Sequence, residues 1–396
     1  MRKKKNIVLI LVVGFILFGA YPLSAETSRG VSKDTIKIGV LTDITGVTAS
    51  IQGPSLEGYK IFFRWVNDRG GIDGRKIDLI IEDTKYSIPQ NFAAFKKFMY
   101  RDKVFAILGS GASAADIALT PLVAEEKVPR IPLSKSGQLV DPFQRYTFIN
   151  APIYEDGIRL LVDYIVKELN PKDLRLGIVL ADAEAFKPGL KVAQERGKKY
   201  GVEVTGIFLS MGALDATSQV LQLKREKVNC VIIHNISTAA ITLVTAGKKL
   251  GFNPNYFGSY WATQDQLIKA AKEAARNYWG VHCFSGWDEE NPGIKELRSV
   301  TKKYDSGATW KDRAYTDGWV LSMILAEGIK RAKNNLTNEG LVNAIESMKN
   351  FSTKDLSGPL TYSSANHKPN EFFKIYKADV EKGFFVPISS WKKPLD

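Results

Sequence analysis

The chain has 396 residues, 44% of them hydrophobic and 24% charged, and a formal net charge of +13. That composition belongs to a folded globular protein with length for two or three domain-sized units, and it excludes a disordered or fibrous chain. Beyond residue 25 the bases are scattered, in local runs no longer than pairs such as Lys198-Lys199 and Lys248-Lys249, so the basic stripe that nucleic-acid binding needs is missing.

The N-terminus reads as a secretory signal peptide. Arg2, Lys3, Lys4 and Lys5 precede an apolar run from Ile7 to Ala20, too short to span a bilayer comfortably, and small residues follow at Ser24 and Ala25. Cleavage after Ala25 removes four bases and no acid, which takes the net charge from +13 to +9. No cysteine lies near the cut for a lipid anchor, and no later segment approaches membrane-span length. A soluble, exported protein is expected.

From there the chain alternates short apolar runs with longer helical patterns. Strands are predicted at 35–42, 76–82, 104–108 and 129–133, then at 175–180, 202–209, 229–234, 256–258 and 279–284. Helices are predicted between them at 55–68, 90–100, 114–126, 154–169, 186–200, 216–226, 239–250 and 264–273. Such β-then-α alternation implies parallel sheets covered by helices on both faces. The run 146–150, followed by Ala151-Pro152, reads as a crossing between two sheets. Helical segments at 292–304, 312–333 and 338–348 and extended segments at 371–377 and 384–388 close the chain. Further crossings are expected near Ser285-Gly286-Trp287 and at 356–362. The fold class is therefore α/β, with two doubly wound parallel-sheet lobes joined by a three-strand hinge. Lobe 1 comprises 26–150 plus 286–356, and lobe 2 comprises 151–285 plus 357–396. The cleft between the C-terminal strand ends is where such sheets bind ligands.

Residues 109–114, GSGASA, end the third strand and open a helix. Glycines and small hydroxyls there aim backbone N–H groups at one spot, and the helix dipole adds partial positive charge, which suits a carboxylate or phosphate. The spacing also fits a loose dinucleotide fingerprint, but that motif wants an acid at the end of the next strand. Ser134-Lys135-Ser136 stands there instead, so the anion site survives and the dinucleotide does not. Catalysis has little to stand on: G-x-S-x-G, H-E-x-x-H and the P-loop motif are all absent. His234, His282 and His367 are isolated and read as structural. Neither a metal nor a cofactor is expected, and the protein is not read as an enzyme. Cys230 and Cys283 fall on the third and fifth strands of lobe 2. In the strand order 2-1-3-4-5 they lie about 9.5 Å apart, beyond the ~7 Å reach of a disulfide.

The turn Gly70-Gly71-Ile72-Asp73-Gly74 leads into the strand before Asp83, and it joins other landmarks in order. These are Ile38-Gly39-Val40-Leu41 with Thr45-Gly46, Asn67 to Gly74, residues 109–113, Pro129-Arg130-Ile131-Pro132, and Asp317-Gly318. Together they resemble the type I periplasmic binding proteins of ABC importers, in particular the branched-chain amino acid (leucine-binding) family, over nearly the whole mature chain. The resemblance implies a Venus-flytrap receptor in the periplasm, a monomer that closes on a small carboxylate-bearing solute and docks on membrane permease subunits. It implies that Ser113, with the backbone of Gly111 and Ala112, holds the carboxylate, with Ser136 and nearby Ser134 adding hydroxyls. Gln52 falls in the loop after the first strand. In lobe 2 the register puts Phe186, Tyr260 and Trp261 at the cleft, and the loop after Val231-Ile232-Ile233 offers His234, Asn235, Ile236 and Ser237. Where amino acid binders place an acid for the ligand's ammonium, this chain has Tyr260, with Asp265 the nearest acid beyond it. An aromatic or hydrophobic acid without an α-ammonium is expected. Branched-chain amino acid binding proper, or a ligand-sensing domain for a membrane signalling partner, remain the alternatives.

Overall fold

The computed structural model describes residues 28–396; the signal peptide and its cut after Ala25 lie outside these residues. The first lobe begins β1 (Thr35–Thr42), α1 (Ala49–Asp68), β2 (Lys76–Asp83), α2 (Ile88–Lys96), β3 (Ala106–Gly109), α3 (Ser113–Glu125) and β4 (Arg130–Pro132). The second follows with α4 (Tyr154–Asp163), β5 (Leu176–Ala181), α5 (Pro188–Lys199), β6 (Val204–Leu209), α6 (Thr217–Arg225), β7 (Cys230–His234), α7 (Ser237–Lys249), β8 (Asn255–Gly258), α8 (Asp265–Ala271) and β9 (Tyr278–His282). Helices α9 (Pro292–Tyr304), α10 (Arg313–Arg331) and α11 (Asn338–Glu346) come next, then β10 (Lys374–Asp379) and β11 (Phe384–Pro387).

Two sheets result. The first is parallel, in the order β2-β1-β3-β4. The second runs β11-β10-β9-β8-β7-β5-β6, parallel from β9 to β6, with β10 and β11 added antiparallel. The inner strands β3, β5 and β7 are buried along their whole length. Their unbroken apolar sequences follow from helices covering both faces. Cys230 in β7 and Cys283, one residue past β9, have β8 between them, and both are buried and free.

Three chain crossings join the sheets. Residues 146–148 pair with Arg130 at the edge of β4, the Ile149 N–H donates to the His367 carbonyl, and the Ser285 N–H donates to the Leu356 carbonyl. After the second crossing the chain returns to the first sheet's side, where α10 lies along α1 and α11 packs on α10.

Helix α1 starts six residues before the predicted helix at 55–68, because Pro54 is carried inside it instead of preceding it. The buried Asp43 carboxylate accepts the Gly46 and Thr48 N–H groups and the Thr48 hydroxyl, which folds the loop early enough to begin the helix at Ala49. Gln52 is therefore a first-turn helix residue rather than a loop residue. In lobe 2 the reverse happens: Phe186 ends a short turn, and α5 begins only at Pro188.

Helices α1 and α10 meet backbone to backbone. A Cβ on Gly318 would lie 2.2 Å from the Ser55 carbonyl oxygen, and one on Gly58 would lie 2.6 Å from the Tyr315 carbonyl oxygen. Gly318→Ala must push the helices apart, an overpacking that costs about 1–3 kcal/mol. Scanning calorimetry should show the melting temperature lowered by several degrees; an unchanged melting temperature would mean the two helices can separate freely.

Candidate ligand-binding cleft

A narrow, nearly closed cavity of about 10 Å³ lies between the C-terminal strand ends of the two lobes. Lobe 1 contributes Thr48, Ile51, Gln52, Tyr86, Gly111 and Leu133, and lobe 2 contributes Tyr154, Phe186, Ile236 and Trp261. None of these side chains is charged.

One wall is the turn from β3 into α3. Gly109 and Ser110 both take left-handed backbone, at φ +82° and +53°. A Cβ on Gly109 would sit 2.2 Å from the Leu41 carbonyl oxygen, so only glycine lets β3 turn this sharply against β1. The chain then enters α3, whose N-terminus has no side-chain cap, so its first N–H groups remain available to a ligand. Gly111 reaches the cavity because it lacks a side chain: a Cβ there would approach the Gln52 amide nitrogen to 2.9 Å. Gln52 itself is braced, its oxygen accepting from the Asp43 N–H and its nitrogen donating to the Thr48 hydroxyl. Ser113 and Ser134 share a 2.6 Å hydrogen bond between their hydroxyls. One turn into α3, burial raises the Asp116 carboxyl to about 7 against the opposing pull of Arg130, Ser110 and Lys135. Asp116 therefore does not present a full negative charge at neutral pH.

The other wall is aromatic. The Tyr154 and Phe186 rings stack with centroids 6.1 Å apart, and the Trp261 indole N–H donates to the Tyr154 hydroxyl at 2.7 Å. Burial raises the Tyr154 phenol, and hydrogen bonds from the Lys135 backbone, Trp261, Ser134 and Ser113 oppose that shift. His234 backs Phe186 at 4.9 Å and bonds the Ser259 hydroxyl at 2.9 Å. His282 stacks on Tyr260, and His367 stacks on Phe148, both as packing groups.

Of the residues named from sequence, Gln52, Gly111, Phe186 and Trp261 line the cavity. Ala112 and Ser113 follow Gly111 along the chain and are buried, as is Ser134, next to the lining residue Leu133. These three lie beside the lining and not in it, and Ser136, Ser237 and Tyr260 are outside it too. The Ser136 hydroxyl is buried without a partner, and the Ser237 hydroxyl accepts from the Gln266 amide. Tyr260 points to the hinge, donating to Asp317 at 2.6 Å. Asp265 is 1% exposed, paired with Arg313 at 2.7 Å and accepting the Phe385 N–H. Ile236, in the loop the sequence offers to the cleft, lines the cavity as well, whereas sequence reasoning missed Thr48, Ile51, Tyr86, Leu133 and Tyr154. Tyr86 stood within reach, since it lies in the loop after a parallel strand, where such clefts are lined. Tyr154 sits beyond a crossing, and no pattern in the sequence marks it.

Two α/β lobes face each other across this cavity, whose lining carries no charged side chain, and among the described residues there is no cluster of metal ligands. The chain belongs to the periplasmic binding protein family, whose profile matches residues 35–383. These are solute-binding proteins of transporters, periplasmic and non-catalytic, and they work with ABC permeases. Among the described residues no helix is long and apolar enough to cross a membrane. A branched-chain amino acid ABC transporter protein from Thermus thermophilus with bound valine is 22% identical, covering 91% of this chain and 97% of its own at a TM-score of 0.83. A fatty acid ABC transporter substrate-binding protein from Thermomonospora curvata is 24% identical, covering 93% and 95% at a TM-score of 0.81. An ABC transporter solute-binding protein from Rhodopseudomonas palustris BisB5, in complex with 3,4-dihydroxybenzoic acid, is 18% identical, covering 92% and 99% at 0.79.

Burial lowers the His234 imidazole to about 3. Below its ordinary value of 6.5, the unfolded chain takes up a proton that the folded chain refuses, so His234 withdraws stability as the pH falls from 6.5 toward 3 and has no effect above 6.5. The slope is up to ~1.4 kcal/mol per pH unit. Urea unfolding at pH 7 and pH 5 should show His234→Gln losing less stability on acidification than the wild type. Equal losses would mean that the imidazole is protonated in the fold.

Proposed function

We propose that this chain is the substrate-binding component of an ABC importer that captures a small carboxylate-bearing solute with an aromatic or otherwise hydrophobic body. Lobes 26–150 plus 286–356 and 151–285 plus 357–396 close on it, and the closed monomer, exported and cleaved near Ala25, delivers it to the permease. The observation that carries this reading is the cavity lining, which has four aromatic rings and no charged side chain. An amino acid would bring an ammonium into this space with nothing to pair it, at a cost that prevents tight binding. Asp265, the acid that could have paired it, is already committed to Arg313. A carboxylate, in contrast, needs only the uncapped N-terminus of α3 with Ser113 and Ser134 beside it. The rings of Phe186, Tyr154 and Trp261 offer flat faces for the rest of the ligand. One similar protein is named for fatty acids and another was solved with 3,4-dihydroxybenzoic acid, both acids of this chemistry.

Calorimetric titration with benzoate, octanoate and leucine tests the assignment. Binding of either acid in preference to leucine is expected, and micromolar affinity for leucine would overturn it. Hydrogen bonds to charged groups contribute about 1.5–3 kcal/mol, so Ser113→Ala should weaken binding of the acid by roughly tenfold or more. Unchanged affinity would place the carboxylate elsewhere.

A further inference from the structure

The loop after β2 carries two consecutive residues in left-handed backbone, Lys85 at φ +51° and Tyr86 at φ +56°. Side-chain-bearing residues disfavour that region, and they hold it only where the surroundings enforce it. Here they do. The Ser87 N–H closes the turn onto the Thr84 carbonyl at 2.8 Å, and the Asp83 carboxylate accepts the N–H groups of Lys85 and Ile44 and the Thr45 hydroxyl. The turn is thereby tied to the loop after β1. Its product is a tyrosine that lines the cavity and whose hydroxyl donates to the Met211 sulfur of lobe 2 at 3.7 Å. Met211 in turn packs against Phe186 and its alanine neighbours.

The position of this contact gives it meaning. The crossings leave the sheets at β4 and just after β9, whereas β2 is the first sheet's edge farthest from β4, and β6, which precedes Met211, is the strand of the second sheet farthest from β9 on the parallel side. Tyr86 and Met211 therefore meet across the mouth, opposite the hinge. We propose that this pair is the gate of the cleft: the left-handed turn presents Tyr86 to Met211 so that their contact holds the lobes together at the mouth and controls release of the ligand. The proposal rests on the solute-receptor reading for its ligand, but the gate itself is a property of the protein alone.

The test starts without ligand. Spin labels on Lys60→Cys in α1 and Leu221→Cys in α6, both exposed, report the distance between lobes, and the native cysteines are buried. Tyr86→Phe keeps the ring and Met211→Leu keeps the bulk, yet each removes the hydroxyl–sulfur contact. Each should lower the closed-to-open ratio about two- to tenfold, as expected for one modest hydrogen bond, and the double variant should do no more than either single one. Distance distributions unchanged from the wild type, or effects that add in the double variant, would overturn the gate. Where benzoate binds the wild type, its release rate should rise by the same factor in each variant, and an unaltered rate would also overturn it. Failure of benzoate to bind counts against the ligand assignment alone, because the ligand-free distances still decide the gate.

Discussion

The architecture turns on one buried carboxylate. Asp317, in α10, is fully buried at the junction of the lobes, where it meets the Lys135 ammonium at 3.3 Å, the Asn150 amide at 2.6 Å and the Tyr260 hydroxyl at 2.6 Å. Those partners come from the loop after β4, the first crossing and the turn after β8. A buried ion pair is not by itself a gain in stability, because both charges must be stripped of water. Its effect here is on geometry, since removing any one partner would strand a charge or a donor in the interior. The carboxylate can reach all three because Gly318, the next residue, lets α10 settle directly onto α1. One short sequence, Asp317-Gly318, thus sets both the helix contact and the junction.

That junction determines the back of the binding site without lining it. Tyr260 is drawn toward Asp317, and the burial and nearby carboxylate that raise its phenol keep it protonated as a donor. Trp261, the next residue, is then left facing the cavity, with its indole N–H on Tyr154. A second anchor acts in parallel. Arg313, at the start of the same helix, reaches across to Asp265 in α8, the Phe385 carbonyl in β11 and the face of the Tyr376 ring. Asp317 and Asp265 are therefore both paired within the protein. A chain that is basic overall encloses a cavity lined by no charged side chain, with the uncapped start of α3 beside it.

How far the sequence revealed this follows from the range of the interactions. The sheets, their helices and the glycine turn between β3 and α3 are legible because each depends on neighbours along the chain: strand hydrophobicity, helix periodicity and glycines at 109 and 111. Gln52 lines the cavity from the first turn of a helix and not from a loop, because the brace from Asp43 that starts the helix early is not a pattern of spacing. Tyr260 was harder. Its register beside Trp261 was readable, but its direction is set by a carboxylate 57 residues further on. The same holds for Asp265, which sequence left open to a ligand and which Arg313, 48 residues away, occupies. Tyr154 and Met211 lie at places where the local sequence is unremarkable and only the meeting of two lobes gives them a role.

Hinge and mouth are thus held by interactions of different kinds, and the difference suits a receptor that must open. At the hinge, charges sealed from water are costly to separate, so the lobes share a fixed axis that survives every opening. At the mouth, a neutral hydroxyl meets a polarisable sulfur, a contact weak enough to break on each cycle. Strong coupling in both places would lock a ligand in, and weak coupling in both would leave two lobes with no common axis. Placing the ionic network at the pivot and the soft contact at the rim lets the ligand's own contacts with both walls decide whether the cleft stays shut. A neutral cavity makes that decision sensitive to the shape and apolar surface of the solute, since no strong ion pair inside can override a poor fit.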